Sequence, residues 1–124
     1  MDYSFSKSHV LSKQIEIDEL FSNGKRIRNQ AFILLYREVP ITASPFQLLI
    51  SVPKRKIKKA VDRNYLKRCI REVIRKNKEL LVCQENVAEK SVHFAIIYNV
   101  NSRLDYSNIE KHLLDLLKKI PNLK

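Results

Sequence analysis

The apolar positions from Ala60 to Leu81 recur with a helical period, in a stretch that contains no glycine and no proline. When residues are placed at about 100° intervals, these apolar side chains occupy one half of a helical wheel. They are Tyr65, Leu66, Cys69, Ile70, Val73, Ile74, Leu80 and Leu81. The pattern predicts a long helix with one face in a core.

The other half of this wheel is mostly cationic. Its polar residues are Arg63, Asn64, Lys67, Arg68, Arg71, Arg75 and Lys78. An ordinary solvated helix face mixes both signs of charge, and like charges one turn apart repel each other. We therefore expect an anionic partner on this face, with a plain solvated face as the alternative.

Shorter patterns predict the other elements. Residues 13–22 form a short helix with Ile17, Leu20 and Phe21 on one side, and residues 107–120 form a second amphipathic helix. Strands are predicted at residues 25–29, 31–39, 46–52 and 92–100. Gly24, the only glycine, is expected to end the first helix with a positive φ angle.

This order of elements predicts an α+β two-layer sandwich, with a mixed sheet of about four strands and three helices. We expect one domain over residues 1–124, in which residues 1–12 form an irregular tail. By the general rule, the strand–helix–strand crossover would be right-handed.

Charge narrows the choice of partner. The chain has 24 Lys and Arg residues against 13 Asp and Glu residues, a net charge of +11, which predicts a nucleic acid or an anionic membrane surface as partner. It has no apolar run long enough to span a membrane and no secretion signal, so we expect a cytoplasmic protein. Cys69 and Cys83 are expected to be free thiols.

No motif for catalysis by side chains is recognisable, and the three histidines lack the spacing of metal ligands. Binding chemistry is better supported, because the sequence KRKIKK at residues 54–59 leads directly into the cationic helix. Cations in these two segments can bind phosphates, and an amide can bind sugar or base edges. The candidate RNA-binding residues are Lys54, Arg55, Lys56, Lys58, Lys59, Arg63, Asn64, Lys67, Arg68, Arg71 and Arg75.

The segment AVDRNYLKRCIRE, residues 60–72, resembles the signature of the bacterial ribonuclease P protein subunit, which is Arg-Asn-Arg followed by x-Lys-Arg-x-x-Arg. Tyr65 departs from this signature, because it stands where the family usually has a third arginine. The preceding SVPKRKIKKAVDRN, residues 51–64, is similar to the strand and basic loop of the family. The residues that match the signature in register are Arg63, Asn64, Lys67, Arg68 and Arg71.

The resemblance implies a ribosomal-protein-like fold with a left-handed βαβ crossover. It also implies a protein that binds a catalytic RNA subunit, which performs the Mg²⁺-dependent cleavage of the 5′ leader from precursor tRNA. No residue of this chain is then expected to be catalytic, no cofactor is expected on the protein alone, and no membrane or protein partner is implied. Mg²⁺ is expected with the RNA subunit.

By the same resemblance, a cleft between the first helix and the sheet holds the single-stranded leader. The candidates for this cleft are Phe21, Phe32, Tyr36 and Ile17. Each aromatic residue taken alone is also consistent with packing in the core. Two other functions stay open at this point: a ribosomal or other structural RNA-binding protein without a catalytic partner, and a membrane-surface protein that uses a basic amphipathic helix.

Overall fold

A computed structural model describes residues 11, 13–40, 46–77 and 90–119. The elements in chain order are α1 (Gln14–Asn23), β1 (Lys25–Arg28), β2 (Phe32–Pro40), β3 (Phe46–Ser51), α2 (Ala60–Lys76), β4 (Lys90–Tyr98) and α3 (Tyr106–Leu117). These three helices and four strands confirm the predicted α+β class. The other residues of the predicted tail, the end of the long helix beyond residue 77, and Cys83 lie outside the described residues.

The four strands form one mixed sheet in the order β1-β2-β4-β3. The pairs β1–β2 and β2–β4 are antiparallel, whereas β3 and β4 are parallel neighbours joined through α2. The two central strands β2 and β4 are rich in apolar residues, since one of their faces is covered by α2 and α3 and part of the other by α1. The predicted edge strand β1 carries three cations, which discourage pairing with another chain at that edge.

Side-chain alternation along the strands creates two separate clusters of buried residues. Phe32, Leu34 and Tyr36 of β2 belong to the main core, together with the apolar residues of α2 and α3. On the opposite face, Leu35 packs with Leu20 of α1 in a smaller cluster. Therefore α1 covers part of one face of the sheet, and α2 and α3 cover the other face.

The apolar half of α2 fixes the orientation of this helix. Leu66, Ile70 and Ile74 have no exposed surface, and neither has Val73. Complete burial of each such side chain contributes about 1.5–3 kcal/mol. Rotation of α2 about its axis would expose these residues and bury charges in their place, so the cationic half must face outward.

Gly24 ends α1, as predicted, but the expectation of a positive φ angle is wrong, because its φ is −73°. The reason for glycine is a close approach of two backbones. A Cβ atom at this position would lie 2.4 Å from the carbonyl oxygen of Leu20 and 3.2 Å from that of Tyr36. A side chain here would push the end of α1 away from the sheet.

We therefore expect Gly24→Ala to destabilise the protein by about 1–3 kcal/mol, the usual cost of forcing an extra carbon into a packed site. Equilibrium unfolding in urea measures this change. Ser22→Ala is the matched control, because Ser22 is exposed on the same helix, and its effect is expected to stay within about 0.5 kcal/mol. A fully stable Gly24→Ala variant would contradict the steric explanation.

Candidate nucleic-acid interface

The loop between β3 and α2, residues 54–59, is called the basic loop here. It begins as a turn in which the backbone N–H groups of Lys56 and Ile57 donate to the carbonyl oxygen of Pro53 at 3.0 and 3.1 Å. Ile57 is the only apolar residue of the loop, and its side chain is buried in the main core. This anchor turns the neighbouring cations outward. Lys54, Arg55, Lys58 and Lys59 are exposed, and Lys56 is half-buried.

Arg63 ties the basic loop to α2. Its Nη1 atom donates to the carbonyl oxygens of Ile57 at 3.0 Å and Lys58 at 2.8 Å. Arg63 was expected to present its charge to a partner like the other cations, but it is half-buried and these two bonds occupy it. In the structure, Arg63 mainly fixes the shape of the loop. Its charge also adds to the positive potential of the neighbouring surface.

The next turns of α2 present the cations that remain available. Asn64, Arg68 and Arg71 are exposed, and Lys67 is half-buried. Within the described part of the chain, none of the three cations has an ion-pair partner. We call the exposed and half-buried cations of the basic loop and of α2, other than Arg63, that have no ion pair with a described residue the basic face. The residues of the basic face are Lys54, Arg55, Lys56, Lys58, Lys59, Lys67, Arg68 and Arg71.

The positive charge weakens toward the end of α2. Arg75 is bound by Glu72 one turn earlier, with Nε 2.9 Å from Oε1 and a second, shorter contact to Oε2. These bonds from Arg75 hold the pKa of the Glu72 carboxyl below its ordinary value. Arg75 is therefore the least available of the predicted RNA-binding residues.

Tyr65 packs against the protein, as its place at the edge of the apolar half indicates. It is half-buried and contacts the main core. A hydrogen bond with Cys69 raises the pKa of the Tyr65 hydroxyl. The ring thus interrupts the row of cations on α2.

A second candidate surface lies on the face of the sheet that carries α1. The strand register places Arg28, Ile33, Ile97 and Ser51 in one row across the four strands, with their side chains on this face. Ile33 and Ile97 are half-buried and Arg28 is exposed, so this row is not fully covered. We call this row, with Arg26 and Leu49 from the adjacent row, the sheet groove.

The structure separates the four predicted cleft residues. Phe21 of α1 is 43% exposed. Ile17 is half-buried and belongs to the smaller cluster, which also contains Ile33 and Ile97 of the sheet groove. Phe32 and Tyr36 lie on the opposite face, where they are 0% and 6% exposed within the main core. They are core residues and are not brought together with Phe21.

Sequence reasoning missed the two arginines of the sheet groove. Arg26 and Arg28 alternate along the edge strand β1, and both point to the α1 face because they pair with Leu35 and Ile33. The signal was present in the sequence, since cations two residues apart on a strand share one face. The pairing partner that decides which face this is could be known only from the fold.

A different groove, of about 340 Å³, lies at the other end of α1. It is lined by Ile15, Glu16, Glu19, Arg37, Val39, Pro40 and His93. Glu19 pairs with Arg37 at 3.1 Å, and burial lowers the pKa of His93, which disfavours its charged form. With two carboxylates and one paired cation, this groove suits a phosphate chain less well than the sheet groove does.

Neither a metal site nor a membrane span is found in the part of the chain that the structure describes. No group of three or more His, Cys, Asp or Glu residues in it is placed to hold a metal ion. No helix there is long and apolar enough to cross a membrane.

The chain is similar to proteins of one known family. The family model described as Ribonuclease P matches residues 5–121. The ribonuclease P protein component of Thermotoga maritima is 30% identical over 125 residues, which cover 97% of this chain and 98% of that protein. That of Macrococcus caseolyticus is 40% identical over 76 residues, covering 61% and 64% of the two chains.

Solved structures show the same fold. The ribonuclease P protein of Thermotoga maritima superposes with a TM-score of 0.71 at 28% identity, covering 91% of this chain and 98% of that one. The Staphylococcus aureus protein has a TM-score of 0.75 at 21% identity and covers 95% and 100% of the two chains. The similarity thus extends over nearly the whole length of the chain.

The role of Arg63 gives a prediction about stability. We expect Arg63→Ala to cost about 1–2 kcal/mol, because two loop carbonyls lose a charged donor. Thermal unfolding followed by circular dichroism measures the loss. Arg71→Ala is the control, since Arg71 is exposed on the same helix without an ion pair to a described residue. Equal stability of the two variants would mean that Arg63 does not hold the basic loop.

Proposed function

Because the chain belongs to the ribonuclease P protein family, whose members are components of a tRNA-processing enzyme, we propose that it binds the RNA subunit of that enzyme through the basic face. The observation that carries this proposal is the basic face itself, a loop and a helix whose cations lie together and point away from the core. A polyanion with regularly spaced charges is the partner that such a surface fits best.

The arrangement of the basic face suits RNA backbone. The basic loop is held by Ile57 and by the bonds from Arg63, so its backbone has a fixed shape before a partner binds. Along α2, Asn64, Arg68 and Arg71 follow one another at helical spacing on the exposed side. Arginine can contact two phosphate oxygens at once, whereas the asparagine amide can bind a ribose hydroxyl or a base edge.

In this proposal the protein performs no bond cleavage. The RNA subunit would bind Mg²⁺ and hydrolyse the bond between leader and mature tRNA. The protein would contribute affinity, since its cations offset the repulsion between two polyanionic RNA molecules.

The sheet groove is the best candidate for holding the 5′ leader of precursor tRNA. Its apolar floor of Ile33 and Ile97 can contact unstacked bases, and the exposed Arg26 and Arg28 at its edge can contact the leader phosphates. Phe21 offers an exposed ring on α1 for stacking. This set replaces Phe32 and Tyr36, which are buried on the other face.

A membrane-surface role is disfavoured by the packing of α2. Binding of an amphipathic helix to a bilayer needs its apolar face, but Leu66, Ile70 and Ile74 are completely buried under the sheet. A structural RNA-binding protein without a catalytic partner would use the same basic face. The family match favours the ribonuclease P role over this alternative.

The basic face can be tested by the salt dependence of binding. We expect the triple variant Lys67→Ala, Arg68→Ala, Arg71→Ala to bind a bacterial ribonuclease P RNA more weakly, with a salt slope smaller by about 0.7–0.9 for each lost phosphate contact. Arg63 is kept so that the loop stays intact. The control is Lys111→Ala, an exposed cation on α3. A wild-type slope in the triple variant would show that α2 presents only a solvated face.

The sheet groove can be tested by leader length. With saturating RNA subunit, we expect Phe21→Ala to lose affinity for a precursor tRNA with a five-nucleotide leader but not for one with a single nucleotide. The loss of one stacked base corresponds to about 1–3 kcal/mol, or roughly a five- to hundredfold change in Kd.

Ile15→Ala is the matched control, because Ile15 is a 78% exposed apolar residue on the same helix, at the end that carries Glu16 and Glu19. The melting temperature of Phe21→Ala is expected to be close to that of the wild type, since Phe21 is not buried. An equal loss on both substrates would remove Phe21 from the leader site.

A further inference from the structure

A cation from outside the basic face lies beside α2. It is Arg103, in the connection between β4 and α3, and its guanidinium carbon is 4.5 Å from the centre of the Tyr65 ring. We propose that Arg103 is a further phosphate-binding residue for the partner RNA and that Tyr65 is its positioning residue. This proposal rests on the proposed function of the basic face and adds to it a residue that is distant in sequence.

The connection that carries Arg103 has a fixed shape. The hydroxyl of Tyr98, at the end of β4, donates to the carbonyl oxygen of Ser102 at 2.6 Å and accepts from the N–H of Leu104 at 3.0 Å. It thus holds the residues on both sides of Arg103. Two residues further on, the Asp105 carboxylate accepts from the N–H of Asn108 at 3.0 Å and caps α3. The backbone of Arg103 is therefore held in place before any partner binds.

The Tyr65 ring fixes the direction of the Arg103 side chain. A guanidinium within about 6 Å of an aromatic centroid is attracted to the ring face. The ring is itself held, because Tyr65 is half-buried and packs on the main core. A guanidinium that stacks on a ring keeps its in-plane N–H donors free at its edges.

Arg103 forms only a long, half-exposed ion pair with Asp62. Its Nε atom is 3.9 Å from Oδ1 of Asp62, which is longer than a hydrogen bond, and half of its side chain is exposed (51%). A half-exposed ion pair of this length contributes little to stability, about 0–1 kcal/mol. The contact orients the guanidinium and leaves its terminal donors available to a phosphate.

The position of Arg103 completes the row of cations along α2. Tyr65 interrupts that row, at the position where the matching signature usually has arginine. Arg68 lies one turn further along the helix on the same side as Tyr65, so a cation over the Tyr65 ring extends the row toward the basic loop. The chain thus supplies from the β4–α3 connection a charge that α2 itself lacks at this point.

The test uses the full chain and a bacterial ribonuclease P RNA, with Kd measured over a series of salt concentrations. Arg103→Gln removes the charge but keeps most of the side-chain stem. We expect it to reduce the salt slope by about 0.7–0.9, the effect of one lost phosphate contact. Tyr65→Phe keeps the ring and is expected to retain the wild-type slope. Tyr65→Leu removes the ring and is expected to lower the affinity as Arg103→Gln does.

Two double variants distinguish an RNA-binding role of Arg103 from a purely structural contact between Arg103 and Tyr65. In a Tyr65→Leu background, Arg103→Gln is expected to have little further effect, because the cation is already misplaced. In a Tyr65→Arg background the charge comes directly from α2, and Arg103→Gln is again expected to have little effect. A clamp without RNA contact would lower the melting temperature of Arg103→Gln and leave its salt slope unchanged, which would overturn the proposal.

The triple variant Lys67→Ala, Arg68→Ala, Arg71→Ala distinguishes failure of this proposal from failure of the proposed function. If the salt slope decreases in that variant but not in Arg103→Gln, Arg103 does not contact the RNA, and only the present inference is wrong. If neither variant loses slope, the basic face does not bind this RNA and both proposals are wrong. Loss of slope in both variants, with melting temperatures near that of the wild type, is the expected result.

Discussion

The burial of one side of α2 against the sheet is the contact on which the rest of the structure depends. Leu66, Ile70 and Ile74 are completely buried in the main core, and no other orientation of the helix would bury them. Because the remaining positions are mostly cationic, this apolar packing also sets the direction of the charges. The positive surface is thus a consequence of hydrophobic burial. The like charges remain close together because rotation of α2 about its axis would expose its buried apolar residues.

Much of this architecture could be predicted from the sequence. The apolar patterns of residues 60–76 and of the central strands are clear. The predicted helix and strands therefore agree well with the observed ones. The orientation of α2 followed from the same period, since Leu66 and Ile70 on one side require Arg68 and Arg71 on the other. Tyr65 at the boundary was placed correctly for the same reason.

The features that could not be predicted depend on contacts between distant parts of the chain. Glycine is required at position 24 because the carbonyl oxygens of Leu20 and Tyr36 lie close to it. A glycine at the end of a helix does not by itself reveal such a contact. Arg63 was counted with the outward-facing cations, but at about 100° per residue it falls between Ile70 and Ile74 on the wheel, so its partial burial follows from the helical period. Its loop-carbonyl partners depend on contacts that the sequence does not show. Strand alternation places Phe32 and Tyr36 on one face of the sheet, whereas Phe21 lies on the helix that covers the other face. The sequence predicts that alternate residues share a face, but which helix covers that face is known only from the fold.

The placement of α1 and α2 on opposite faces of the sheet has an electrostatic consequence. The α2 part of the basic face is separated from the sheet groove by the thickness of a helix, about 10 Å, and by the sheet below it. The basic loop, in contrast, begins only three residues after Ser51 of the groove. Mobile ions screen charges over about 8–10 Å at physiological ionic strength. A nucleic-acid strand bound along α2 and one held in the groove would therefore hardly feel each other's repulsion. Only at the basic loop would the two strands come near each other, so the protein would act as a spacer along α2 and as a counter-charge at the loop.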